Sequence, residues 1–531
     1  MRFIVNRKPI RYIILAVVLA AVYTLLSNHF FKIAVISSLK FILFMIVFLL
    51  PGIVLHKGLR LKSTPLEALV YTFTLSFIYM FLLYLMFALL GLMSLLALIP
   101  LLMLLFGVVG LLITRAQPLY TKTDSKEFFL AVVLAVISLA LVMFFLTAAN
   151  ASPAIDGPRQ YHVDLLNSVG LVTSASKTFP FEDVKAIGIN YTYHALPFAF
   201  LAVMKSVTGF SSFDLITDYS LTVFTPFCVL ALAALIKRVA KNNLSIIISF
   251  VLLFILSPFE NRFTYYMYSD TLGFSLAIAL GAVSLLTFID SFENQTKGFS
   301  SVFLLCCLSF ALTVAAKGPI AVIYLFGFGV TLLFRLFKKE ERKSVVFRGI
   351  MLLLSFVIPY FLIYSNDAAS LVLWYPGRFV YDTDVFLIVK NLLGHQSVGL
   401  TIVAMQLTSY CLMSLAVICL VVLVVVSTRK DKVYVIFSLA VTVFGSFLTY
   451  LTHQYGGSEI YFILSAYAFC VIAISIYISH ILKKEKRRLV RLIPVLTIIL
   501  LSIIGSFSQT VNNFSDGYEA ATHYTPGSPG R

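Results

Sequence analysis

The chain has 531 residues, 60% hydrophobic and 12% charged, against about 45–50% apolar and about 25% charged in ordinary soluble domains. That balance, with a mean hydropathy of +0.99, excludes a water-soluble enzyme. The formal charge of +17 does not point to nucleic acid, because the basic residues sit in short loops between apolar runs and not on one folded face.

Runs of roughly 15–25 apolar residues recur from end to end, close to the length that crosses about 30 Å of hydrocarbon as a helix. They are continuous and not alternating, which excludes a β-barrel. The sequence predicts an all-α, polytopic transmembrane helical bundle of about 15 helices. In chain order the helices fall near 12–28, 33–55, 66–90, 92–114, 128–149, 216–236, 243–257, 271–290, 301–316, 319–337, 346–364, 398–426, 434–451, 460–481 and 490–507. The basic stretch Met1–Arg11 leads into a retained first helix, since no small-residue cleavage site follows it. All six cysteines lie in apolar runs and read as small buried hydrophobes.

Most of the 40 Lys and Arg fall in alternate loops, those that are cytoplasmic if the N-terminus is. The C-terminus then lies outside. Inner loops are short and basic, whereas two outer segments are long, 150–215 and 365–397. Long loops with aromatic and apolar content are where function is expected. The chain is expected to divide into an N-terminal four-helix membrane module (1–127), a membrane core that carries both long outer loops (128–482), and a last helix with a polar outer tail (483–531).

The first outer segment carries Asp156-Gly-Pro-Arg-Gln-Tyr161-His162-Val-Asp164 just after the fifth helix. Helical projection of 161–172 puts Leu165, Leu166, Val169 and Val172 on one face and Asp164, Asn167 and Ser168 on the other, as for a helix lying in the membrane interface. Asp156 at that level could serve as general base toward an acceptor hydroxyl or amine. It reads equally as half of an Asp-Gly turn. Tyr161, His162 and Asp164 are substrate-binding candidates, although Asp164 also suits the solvated side of the interfacial helix. Further on, His194 precedes Ala-Leu-Pro197 and a short apolar run, a second juxtamembrane or re-entrant helix with Pro197 in its first turn. His194 could bind phosphate or metal, or be a packed, hydrogen-bonded interfacial residue.

The next outer loop holds Glu260, Arg262, Tyr265, Tyr266, Tyr268 and Asp270. Asp270 is a catalytic candidate and also a natural first-turn acid for the following helix. Glu260 and Tyr268 are substrate-binding candidates, and the tyrosines suit an aromatic belt as well. In Ala-Lys317-Gly318-Pro319 two apolar runs are interrupted at the outer membrane face. A cation there suits a lipid-linked phosphate, or snorkels to water as an anchor. Arg262 and Arg378 are further donor-phosphate candidates. His453 and the single tryptophan, Trp374, complete the outer set. No phosphate-binding Gly-rich loop, paired-Cys motif or HExxH motif is present.

Three of these places resemble the GT-C superfamily of integral-membrane glycosyltransferases: Asp156 through Tyr193-His-Ala-Leu-Pro197, Asp270 in Tyr-Ser-Asp-Thr-Leu, and Ala-Lys317-Gly318-Pro319 before an apolar run. The last is similar to the protein O-mannosyltransferase and aminoarabinose-transferase branch. The resemblance covers roughly 128–480. Where that branch commonly pairs Asp with Glu, Asp156 here precedes Gly157, and with one Trp the chain has no Trp-Trp-Asp motif. The resemblance implies inverting transfer of a sugar from a polyprenyl phosphate to a glycan, lipid or protein acceptor, and the compact basic inner loops without a long luminal domain suit a bacterial plasma membrane. Asp156 would be the base, Lys317 with Arg262 would neutralise the leaving phosphate, and Asp270 would orient the acceptor or help bind a divalent cation (Mg or Mn). The rival readings are a transporter or lipid-linked glycan flippase, which would place polar residues near mid-membrane, and a glycan polymerase or ligase.

Overall fold

Inside a bilayer the backbone has no water to bond with, so each continuous apolar run closes its hydrogen bonds within a helix. The computed structural model describes residues 8–115, 117–120, 125–149, 163–182, 190–191, 194–255, 267, 272–293, 300–337, 342–364, 372–374, 417–418, 420–421, 432–454, 460–484 and 496. They form an all-α bundle. The helices are α1 (Lys8–Phe31), α2 (Val35–Gly58), α3 (Pro65–Leu89), α4 (Leu98–Ile113), α5 (Ser125–Ala149), α6 (Val163–Ala175) and α7 (Ala195–Thr208). After these come α8 (Ser212–Ala240) and α9 (Asn243–Ile255), each containing one π-helical stretch. The remaining six are α10 (Leu272–Glu293), α11 (Ser301–Ala316), α12 (Gly318–Phe337), α13 (Arg342–Tyr364), α14 (Lys432–Leu451) and α15 (Ile460–Lys484). Two short antiparallel pairings join β1 (Phe181–Glu182) to β2 (Asn190–Tyr191) and β3 (Val372–Trp374) to β4 (Thr452–Gln454).

Among the described residues nine helices are long and apolar enough to cross a membrane: α2, α3, α5, α8, α10, α12, α13, α14 and α15. The chain is therefore a multi-pass membrane protein in a lipid bilayer. The predicted helices 398–426 and 490–507 lie, apart from a few helical positions, outside the described residues.

The most apolar stretch of α10 is wholly buried, while that of α13 is only 17% buried, so α10 is central and α13 peripheral. Helices α8 and α11 flank α10, and α3 reaches from the N-terminal set onto α7, α8, α10 and α11. Without a hydrophobic force between helices in lipid, such contacts depend on close packing and interhelical hydrogen bonds. A methyl at Gly281 of α10 would collide with the Tyr324 ring of α12. Ser245 and Ser249 of α9 bond Ser479 and Ser475 of α15 at 2.7 and 2.9 Å.

The fold moves one predicted boundary and adds packing detail to two predicted helices. The predicted helix 92–114 begins at Leu98, because α3 ends at Leu90–Gly91, with Gly91 at φ +69°, and Met93–Leu95 make only a 3-10 turn. In α6 the buried face runs through Leu171, Val172 and Ala175, whereas Leu166, placed on the apolar face by projection, is 53% exposed. The reason is tertiary: α6 packs on α7, and Tyr84 of α3 donates to the Ala175 carbonyl at 2.8 Å. The short run after His194, juxtamembrane or re-entrant by sequence, is a core helix buried from Ala195 to Met204. Phe200 at its middle meets Phe48, Phe77 and Phe224 at ring separations of 5.2, 5.3 and 5.6 Å.

Antiparallel passage of the helices gathers their ends into two groups. At one end Arg238 of α8 pairs with Asp290 of α10 at 2.6 Å. Tyr71 of α3 donates to the same carboxylate at 3.5 Å, and the Arg335 and Arg348 guanidiniums lie 4.7 and 4.2 Å from the Phe292 ring centroid. The opposite end holds Lys317.

Candidate functional site around Lys317

The segment Ala-Lys-Gly-Pro builds the site by breaking one helix and starting another. Proline is tolerated in the first turn of a helix, where its missing N–H has no intrahelical partner to lose. Here Lys317 takes an extended conformation, φ −164° and ψ 104°. Its N–H closes α11 by donating to the Thr313 carbonyl at 2.9 Å, and its carbonyl accepts from Ala321 N–H at 3.4 Å in the first turn of α12. One residue thus forms the whole connection, and its side chain is 1% exposed.

Among the described residues the ammonium meets two groups from distant parts of the chain. Its Nζ lies 3.3 Å from His194 Nε2 and 3.6 Å from the centroid of the Tyr461 ring. A desolvated cation on an aromatic face gains roughly 2 kcal/mol or more. An ammonium has no lone pair to offer, so Nε2 must be the acceptor. Neutral His194 then carries its proton on Nδ1, which faces the Tyr364 hydroxyl at 3.4 Å. That hydroxyl accepts from Gly318 N–H at 3.1 Å and donates to the Val314 carbonyl at 3.1 Å. Every proton in the chain Lys317, His194, Tyr364, Val314 has one direction. Burial first and the Lys317 charge second hold His194 well below its ordinary pKa of 6.5, in agreement with a neutral imidazole.

Four helices begin here. His194 is the N-cap of α7, Gly318 opens α12, and Gly273 and Tyr461 are the second residues of α10 and α15. A Cβ on Gly273 would strike the Ala316 carbonyl oxygen and sit 3.5 Å from His194 Cδ2, so α10 approaches this closely only through glycine. Helix N-termini carry partial positive charge and attract anions. Around them, Phe356, Tyr360 and Tyr364 stack along α13 at 5.5 and 5.4 Å.

Of the residues chosen from sequence, Lys317 and His194 are brought into contact. Asp164 is the second residue of α6. In the β3–β4 pairing Leu373 is opposite His453 and Trp374 opposite Thr452, which ties the second long segment to the turn before α15. Asp156, Tyr161, His162, Glu260, Arg262, Tyr268, Asp270 and Arg378 lie outside the described residues. Among the described residues no group of three or more His, Cys, Asp or Glu is placed to hold a metal ion. Sequence reasoning missed Tyr364 and Tyr461. The spacing Phe356, Tyr360, Tyr364 at the end of a predicted helix was the available signal for the first, and Tyr461 carried none.

No protein-family model matches this chain, and no curated protein matches it.

Proposed function

We propose that this protein is a membrane glycosyltransferase that moves a sugar from a polyprenyl-phosphate donor to a glycan, lipid or protein acceptor at the outer face of a bacterial plasma membrane. The observation that carries the reading is the buried Lys317 ammonium among four helix N-termini. This is an environment built for an anion at one end of the bundle. By the charge distribution of the loops, that end faces outward and the N-terminus is cytoplasmic. The peripheral α13 leaves lipid beside the site, as a substrate with a hydrocarbon tail requires.

In this mechanism Lys317, with Arg262 and Arg378, neutralises the phosphate that leaves the anomeric carbon. Asp156 takes the proton of the attacking hydroxyl or amine, and Asp270 orients the acceptor. General-base and electrostatic contributions of this kind are each worth several kcal/mol. A divalent cation such as Mg or Mn would add Lewis-acid stabilisation of the phosphate if bound by the carboxylates.

The test is transfer from a panel of radiolabelled polyprenyl-phosphate sugars by purified protein in lipid, with native membrane extract as acceptor and Asp156→Asn alongside. Transfer that collapses in the variant while donor binding persists supports the reading. Movement of lipid-linked donor across proteoliposomes by both proteins, without transfer, replaces it with a flippase.

A further inference from the structure

We infer that Tyr364 is a positioning residue, whose hydroxyl fixes the ring of His194 in the tautomer that aims the Lys317 ammonium into the site. The inference rests on the reading of Lys317 as the phosphate-binding cation. The hydroxyl is itself fixed from two sides. Gly318 N–H donates to it and it donates to the Val314 carbonyl, both at 3.1 Å. With its one proton committed to Val314, the oxygen meets His194 Nδ1 at 3.4 Å only as an acceptor. Nδ1 must then hold the imidazole proton, and the lone pair is left on Nε2, facing Lys317 Nζ at 3.3 Å. In the other tautomer an Nε2–H would point at the ammonium, and this acceptor for the lysine would be lost.

The backbone serves the same purpose. Val314 lies in the last turn of α11 and Gly318 in the first turn of α12, so both groups that orient the Tyr364 hydroxyl flank Lys317 itself. The break that ends α11 at the lysine and the device that orients its ammonium are one structure. A Cβ on Gly318 would lie 3.2 Å from Tyr364 Cζ and 3.3 Å from its hydroxyl oxygen, so glycine keeps that hydroxyl in reach.

The test uses full-length protein in lipid nanodiscs with nitrogen-15 histidine labelling, the His194 signals being identified by their loss in His194→Gln. The wild type is expected to show a protonated, pyrrole-type Nδ1 and a pyridine-type Nε2 at His194, and Tyr364→Phe to shift protonation toward Nε2. Binding of a short-chain polyprenyl monophosphate is read in the same preparations. Tyr364→Phe should weaken it about tenfold, the worth of one hydrogen bond to a charged group. In a His194→Gln background, where the amide oxygen can accept from Lys317 without help, the same substitution should have less than about a twofold effect. Equal losses in both backgrounds, as a merely structural tyrosine would give, overturn the inference. So does a wild-type His194 protonated on Nε2. Should the tautomer behave as expected while wild type binds no polyprenyl phosphate, Tyr364 keeps its role toward Lys317 and the glycosyltransferase reading falls.

Discussion

The Lys317 ammonium lies 3.3 Å from Nε2 of His194, a residue 123 positions earlier in the chain. The contact joins the break between α11 and α12 to the N-cap of a buried helix that the sequence alone reads as juxtamembrane or re-entrant. Because a buried cation and a neutral imidazole share this bond, the protonation state of each depends on the other, and the site responds to acid in a defined direction.

His194 has a pKa held below its ordinary 6.5 by burial and by Lys317. The unfolded chain therefore takes up this proton first as pH falls, so the stabilisation is complete above about 6.5 and is lost on the acid side as pH drops toward the folded value. The loss reaches about 1.4 kcal/mol per pH unit within that window. Thermal unfolding in detergent across pH 7.5 to 4.5, wild type against His194→Gln, measures it. The wild type should lose more stability toward acid than the variant, and parallel curves would deny the buried neutral imidazole.

Gly273→Ala forces a methyl against the Ala316 carbonyl oxygen next to His194. Overpacking of this kind costs about 1–3 kcal/mol, and displacement of the α10 N-terminus should lower donor affinity too. Gly329→Ala in α12 meets nothing within 4 Å and should stabilise by about 0.5–1 kcal/mol through helix propensity. Paired thermal-shift and binding measurements check both. A silent Gly273→Ala would mean that α10 does not pack as described.

Much of the fold was legible because a bilayer leaves a continuous apolar run few alternatives to a helix. Lys317 was legible too, as a cation interrupting two such runs before Gly-Pro. Which residues of α6 the protein itself buries was not, since Leu171, off the projected apolar face, is buried with Val172 while Leu166 on that face is exposed. Burial of α7 was hidden for a similar reason: 14 residues are too few to cross a membrane alone, and only the surrounding phenylalanines of α2, α3 and α8 show that it is core. Tyr364 and Tyr461 become partners of the site through contacts across the whole chain, for which one sequence has no local signature.

At the opposite end, Asp290→Asn leaves the Arg238 guanidinium without its carboxylate. With both side chains partly buried, at 23% and 12% exposure, the loss should be about 2–3 kcal/mol. Replacing both residues with leucine should restore most of it. Donor affinity should stay unchanged in both variants, since this pair sits at the end of α10 away from Lys317. A drop in affinity with stability intact would contradict that separation.

The most direct measurement is equilibrium binding of a polyprenyl monophosphate to purified protein in nanodiscs, wild type against Lys317→Met. The substitution removes the cation and keeps the apolar stem, so folding should be preserved or improved. The account predicts saturable binding by wild type and a loss of about tenfold or more in the variant. Equal affinity in the two proteins, with the variant folded, would contradict it.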